Sequence, residues 1–414
     1  MTEVLPYELY SDAPGTLFVK HEWEEANAAH PAGHDFGDVP AGWPKRLEGP
    51  LAWDGKDLQV HPEKFVTVLT AGQIAEIDAA SKSFAKLSLP LSAVNRSNFP
   101  LPTVSKLLRG VAHNIYKGTG LNLLRGFPIQ NYDKEEQIRI FLGINSWVGD
   151  ERLSQGIGRG VCHIKSITHL DPSIRGKVFV SAQDTNAQMY HSDAGSDVVS
   201  LMALSLPESG GESTVASSWQ VYNHLAQHRP DILRVLAERK FRWKAVGIPD
   251  TGVNLLHWLN EQLYLNFSTR TFIGYGELPE RDLSYPALTL EEREAFGGWQ
   301  WIAEQYSLET ALQIGDIEWV NNLHHQHARR GFTEDVSKPR HLLRVWLRDN
   351  ELSPVLPTDI KNKFDPMFNI APDFYPLDEI EEDERRKQTG VFTASCDEDT
   401  AAERLEKGIM IANR

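Results

Sequence analysis

The chain has 414 residues, 41% hydrophobic and 24% charged, enough to bury a sizeable core, and its formal net charge is −15. That acidic balance, with no long Lys/Arg run, excludes a phosphate-tracking face, so nucleic acid is not an expected partner. Cys162 and Cys396 are the only cysteines, which excludes a disulfide framework and a Cys-rich zinc site and fits a reducing, cytoplasmic setting.

Met1 to Pro6 has no basic segment followed by an apolar run, so no signal peptide is expected. No stretch approaches the roughly 20 consecutive apolar residues that span a bilayer. Residues 1–60 are rich in Pro, Gly, Trp and His, as in Gly42-Trp43-Pro44, and read as an extended arm on a larger body. Residues 61–352 form the expected catalytic domain. Thr70 reads as a helix N-cap, with Ile74, Ile77, Ala80 and Phe84 at helical spacing behind it. A second amphipathic helix spans Val104 to Tyr116, and Leu121-Asn122-Leu123-Leu124 reads as a strand. Further strands are predicted at Lys177 to Val180, Val198 to Leu204, Ile317 to Val320 and His341 to Leu347. Helices are predicted over Trp219 to Lys240, broken at Pro230, and over Glu291 to Tyr306. Residues 353–414 turn Pro-rich and then strongly charged, and read as a solvated or partly disordered extension.

Three motifs carry chemistry. In His191-Ser192-Asp193 the His and Asp share one face of an extended strand, with Ser192 pointing away. Two imidazoles and one carboxylate can hold one face of an octahedral metal and leave three positions open, the arrangement of non-haem Fe(II) oxygenases. On its own such a triplet is more often a surface turn with a satisfied pair. The second imidazole must come from His324, His325 or His327 in Asn321-Asn322-Leu323-His324-His325-Gln326-His327. On a strand, His325 and His327 share a parity that His324 lacks. Gly210-Gly211-Glu212-Ser213 places a hydroxyl where a loop enters a strand, and Arg340 and Arg344 are four residues apart on an apolar strand. Paired guanidiniums there suit a dicarboxylate such as 2-oxoglutarate; the bland reading is solvated surface charge.

Taken in order, H-x-D, Gly-Gly-x-Ser, Gly315-Asp316 followed by Asn322-x-x-x-x-His327, and Arg340-x-x-x-Arg344 resemble the TauD/TfdA family of Fe(II)/2-oxoglutarate-dependent dioxygenases. Gly49-Pro50-Leu51-Ala52-Trp53, Arg125-Gly126-Phe127-Pro128 and Ser217-Ser218-Trp219 are similar to its fungal clavaminate-synthase-like branch. The likeness covers about residues 40–352. It implies a mainly β fold with surrounding helices, a double-stranded β-helix or jelly-roll core. It also implies that His191, Asp193 and His327 bind Fe(II), the five-residue spacing from Asn322 selecting His327. Arg340 with Ser213 would hold the distal carboxylate of 2-oxoglutarate, and Arg344 would sit near its metal-chelating end or near the substrate. O2 is the implied oxidant. Chlorinating relatives lack the carboxylate, so Asp193 implies oxygenation instead.

The implied substrate is a small polar molecule, amino-acid-like and of fungal specialised metabolism. Hydroxylation is the default outcome, with desaturation or oxidative ring closure (an aziridine from an amino acid such as valine, for example) as the alternative. Gln188 and Tyr190, just before the triplet, are the candidate substrate contacts; their bland role is support of the strand. His163 reads as structural or pocket-lining. Two other classes remain at this point: a zinc hydrolase, which has no need of the arginine pair, and a silent binding protein on the same fold. Apolar strand and tail residues leave a homo-oligomer open.

Overall fold

The computed structural model describes residues 20–389 apart from 157, 167–182, 184, 186, 244–247, 274–284, 334, 336, 338 and 370. The strand expected at Lys177 to Val180 lies outside the described residues.

Two sheets face each other. The larger has the order β1 (Val66–Val68), β2 (Leu121–Arg125), β11 (Ile317–Asn321), β6 (Val198–Ser205), β13 (His341–Arg348) and β3 (Glu151–Arg152), with β4 (Cys162–Lys165) also paired to β13. The smaller has the order β10 (Leu308–Glu309), β7 (Ser213–Ser217), β12 (His325–Arg329) and β5 (Gln188–His191). Apart from the parallel β1–β2 pair, the pairings in both sheets are antiparallel. A hairpin of β8 (Leu256–Leu259) and β9 (Gln262–Leu265) stands beside them. This is the jelly-roll core with helices outside it.

Alternation along the strands separates the layers. From β11, Ile317 and Trp319 point outward. There they join Met202, Leu343, Val345 and Leu347 in a core built with α2 (Ala71–Ala85), α3 (Val104–Lys117) and α4 (Lys134–Asn145). Thr70 is the N-cap of α2, as expected, and forms a reciprocal capping box with Gln73. Outside the smaller sheet, Ala216, Ala328 and Tyr190 pack with Tyr222, Leu225, Leu233, Phe296 and Trp299. These come from α5 (Ser218–His228), α6 (Pro230–Glu238) and α7 (Leu290–Gln305). Arg229 and Pro230 divide α5 from α6, as the Pro requires.

The described residues of the segments before residue 60 and after residue 352 pack against this body. Trp23, from α1 (Lys20–Ala28), Leu47 and Leu51 lie in the core of the smaller sheet, and Trp53 lies in a cluster with Val215 and Val320. Leu356, Ile360 and Phe364 pack with Tyr264 and Leu323; the last two of the three belong to α8 (Thr358–Phe368). The charged stretch expected to be solvated is α9 (Glu379–Thr389), and its Glu382 is fully buried. Glu382 meets Arg159 in an ion pair and accepts from the His163 backbone N–H at 2.8 Å, while Lys165 reaches Glu379 at 2.6 Å. The buried Arg159 cation and the His163 N–H of β4 meet this acidic helix on its inner side, which its charge alone does not reveal.

Candidate active site

β12 carries the distal histidine. His327 is paired directly with His191 of β5, so both rings project into the space between the sheets, with centroids 4.3 Å apart. Asp193 follows β5 in a turn that Asn322 holds. The Asn322 side chain accepts from the Asp193 N–H at 2.8 Å and donates to the carbonyls of Asp193 and Ser196 at 3.0 and 2.8 Å. One carboxylate oxygen, Oδ1, then stands 3.6 Å from His191 Nε2 and 3.7 Å from His327 Nε2. The other, Oδ2, accepts from Arg344 Nη1 at 3.0 Å and Trp346 Nε1 at 2.7 Å.

This donor set fits a divalent metal. His191 Nδ1 lies 2.8 Å from the Met189 carbonyl, which places its proton there and leaves the Nε2 lone pair facing Asp193 and His327. Burial and the neighbouring His191 lower the His327 pKa to about 3, so that ring is a neutral donor. Burial alone would raise the Asp193 pKa, but Arg344, His191 and His327 outweigh it and hold the carboxyl well below the usual range. Among the described residues, His191, Asp193 and His327 are the one group of this kind whose ligand atoms all lie within 4.8 Å of one another.

The two rival histidines are placed elsewhere. His324 Nδ1 donates to the Leu263 carbonyl, 2.7 Å away, and the ring faces Tyr264. His325 has the parity of His327 but stacks on Trp53, with centroids 5.4 Å apart and planes 19° apart. Gly120 makes room for it: at φ +75°, a Cβ there would lie 2.2 Å from the His325 ring. His163 is structural, bridging His341 at 2.8 Å and the Pro376 carbonyl at 2.9 Å.

Arg340 and Arg344 are both buried, with different partners. Arg344 is fixed by Gln155 Oε1 at 2.8 Å and lies over the Trp346 ring, directly behind Asp193. Arg340 is equally buried, and its Nε donates to the Gly211 carbonyl at 3.0 Å. The Gly-Gly turn is thereby explained: at φ +74°, a Cβ on Gly211 would lie 2.8 Å from Arg340 Cδ. Burial and the nearby Arg329 draw the Arg340 pKa down to about 9, still a cation at neutral pH. Arg329 and Arg340 lie over the same Phe332 ring, at 5.2 and 5.8 Å. Ser213 is paired with Arg329 and projects inward from β7, where its hydroxyl lies 3.0 Å from Glu318 Oε2 of the facing sheet.

The two candidate substrate contacts part company. Tyr190 points away from the metal side: it is 1% exposed, its hydroxyl lies 2.9 Å from Glu304, and its backbone is clasped by Gln300 of α7. That expectation is corrected, because Tyr190 has the parity opposite to His191. Gln188 would share Tyr190's outward face on a regular strand. However, β5 shifts register, so that His191 pairs with His327 and Gln188 with Arg329. The bulge returns Gln188, half-buried, to the inward face. Trp346, Gln155, Arg329 and Glu318 escaped the sequence reading. Trp346 had a signal, since it shares the parity of Arg344; Gln155 comes from an irregular segment and had none.

The family described as "Taurine catabolism dioxygenase TauD, TfdA family" matches residues 83–346. The taurine hydroxylase-like protein SAT17 of Stachybotrys chartarum is 30% identical over 361 residues, 83% of this chain and 92% of its own. FR-33289 synthase of Streptomyces rubellomurinus is 24% identical over 314 residues, 73% of this chain and 90% of its own. Among solved structures, asparagine oxygenase in complex with Fe(II), 2S,3S-3-hydroxyasparagine and succinate superposes with a TM-score of 0.52. It is 15% identical and covers 69% of this chain and 93% of its own, a likeness of fold. No helix among the described residues is long and apolar enough to cross a membrane. This chain belongs to the TauD/TfdA family and is an Fe(II)/2-oxoglutarate-dependent dioxygenase.

Proposed function

We propose that His191 Nε2, Asp193 Oδ1 and His327 Nε2 hold the Fe(II), that Arg340 and Ser213 receive the distal carboxylate of 2-oxoglutarate, and that the enzyme hydroxylates an unactivated C–H bond of a small amino-acid-like substrate. The observation that carries this reading is the division of labour within Asp193. Oδ2 is taken by Arg344 and Trp346, which leaves Oδ1 alone facing the two imidazoles. Iron with its cosubstrate and O2 would supply the oxidising chemistry; the protein supplies the ligands and their orientation.

Each residue has a physical task here. Asn322 fixes the Asp193 turn, Met189 fixes the His191 tautomer, and Arg344 and Trp346 keep the carboxylate ionised and oriented. Gln188, returned inward by the bulge, is the substrate contact. The amino-acid class is supported by the fold likeness to an asparagine oxygenase, and the specialised-metabolism setting by the fungal relative. The test is aerobic incubation of iron-loaded enzyme and 2-oxoglutarate with a panel of amino acids and amino-acid derivatives, measuring succinate and substrate mass together. Succinate coupled to gain of one oxygen supports hydroxylation. Coupled succinate with loss of two hydrogens overturns that outcome in favour of desaturation or ring closure.

A further inference from the structure

Glu318 lies in the same row across the larger sheet as Leu201 and Arg344, since Leu201 is paired with both. Paired residues of antiparallel neighbours project to one face, so this carboxyl belongs to the interior between the sheets. It is 1% exposed. Ser213 reaches its Oε2 from the opposite sheet at 3.0 Å, and among the described residues none stands in hydrogen-bond geometry to its Oε1. The groups that face it are Thr310 beside β10, Ser213 of β7, Arg340 at the head of β13 and Asp316 at the head of its own strand. Behind Arg340 stand Arg329 of β12 and Glu212. Burial outweighs the attraction of Arg340 and pushes this carboxyl above the ordinary glutamate range.

A serine hydroxyl has one proton to give. If Glu318 is ionised, the proton of Ser213 is committed to Oε2, and the hydroxyl offers only lone pairs to anything else in the pocket. An arriving carboxylate would then meet an acceptor where it needs a donor, with a second buried anion behind it. A neutral Glu318 reverses the chain, because its O–H can donate to Ser213 Oγ and free the Ser213 proton for the ligand.

We propose that Glu318 is a positioning residue of the cosubstrate pocket, protonated in the 2-oxoglutarate complex, so that binding of the dianion takes up one proton. The proposal rests on the assignment of Ser213 and Arg340 to the distal carboxylate made above. The proton comes from solvent and forms one O–H bond on Glu318; none is exchanged with the cosubstrate.

The test uses iron-loaded full-length enzyme without O2, titrated with 2-oxoglutarate between about pH 6 and 9. Affinity is read from the visible charge-transfer absorbance, and proton uptake from calorimetry in buffers of different ionisation enthalpy. Wild type should take up a fraction of a proton that rises toward one with pH, while its Kd weakens by up to about tenfold per pH unit above the Glu318 pKa. Glu318→Gln, whose amide donates to Ser213 at every pH, should show no uptake and a flat Kd. Wild-type binding with no uptake and a flat Kd overturns the proposal alone, and so does a pH dependence that survives in Glu318→Gln. No absorbance change at any pH overturns the proposal together with the 2-oxoglutarate assignment it rests on.

Discussion

Replacing Trp346 with Phe removes a single donor from the Asp193 carboxylate, the proposed metal ligand, while keeping an aromatic ring in place. The Nε1 to Oδ2 distance is 2.7 Å, Trp346 is fully buried and Asp193 is 3% exposed, so water does not stand in for the lost bond. A hydrogen bond to a buried charged group is worth about 1.5–3 kcal/mol. If that energy serves to orient Asp193 for the metal, metal affinity should fall about 10–100-fold, the range seen when partners behind a metal ligand are lost. The two figures agree, since about 1.4 kcal/mol is tenfold in binding. Arg344 also lies over the Trp346 ring at 4.8 Å, and the smaller ring weakens that contact by a further fraction of a kcal/mol. The assay is anaerobic competition for Fe(II), with Mn(II) calorimetry as a second readout, alongside denaturant unfolding of the metal-free protein. Affinity within twofold of wild type, with stability lost equally whether or not metal is bound, would refute the reasoning. Trp346 would then be packing alone.

Other consequences concern the pocket, the C-terminal helix and pH. Gly211→Ala puts a Cβ 2.8 Å from Arg340 Cδ at a positive φ, and should weaken 2-oxoglutarate binding at least tenfold with metal affinity unchanged; an unchanged cosubstrate affinity would contradict the role given to the Gly-Gly turn. Glu382→Ala strips the carboxylate that the fully buried Arg159 meets, and should cost about 3–5 kcal/mol in unfolding free energy; a loss below about 1 kcal/mol would return α9 to the solvated surface. Burial lowers the pKa of His324 to about 4 and, with His324 beside it, that of His325 to about 3. Below the unfolded value of about 6.5 the unfolded chain therefore binds protons the folded chain refuses, and the metal-free protein should lose stability as pH falls from 7 toward 4. The slope approaches about 1.4 kcal/mol per pH unit per histidine, and His257 and His341 are shifted in the same direction; stability that rises between pH 7 and 5 would contradict it.

Sequence order carried most of the candidate site, because the residues proposed for iron and cosubstrate sit in short motifs with their own spacing. His191, Asp193 and His327 converge as expected, and Arg344 lies at the metal end of the arginine pair. Parity was the weaker guide. It admits His325, which a stack on Trp53 and the opening at Gly120 hold elsewhere, and it would place Gln188 outside, where a bulge returns it inward. Tyr190 failed as a contact because adjacency in sequence was read as adjacency in the cavity, whereas successive residues face opposite layers. The burial of Glu382 was hidden by its neighbours' charge, since what draws it inward is Arg159, more than two hundred residues away. Glu318 was invisible as part of the pocket for a similar reason: its partner Ser213 comes from the other sheet.

The most direct test is anaerobic addition of Fe(II) and 2-oxoglutarate to the wild-type protein and to His191→Ala, Asp193→Ala and His327→Ala, recording visible absorbance and bound iron. The wild type should develop the weak charge-transfer band with one iron per chain, and each variant should lose both. A band of wild-type strength in His327→Ala, or none in the wild type, would contradict the assignment of these three side chains to the iron.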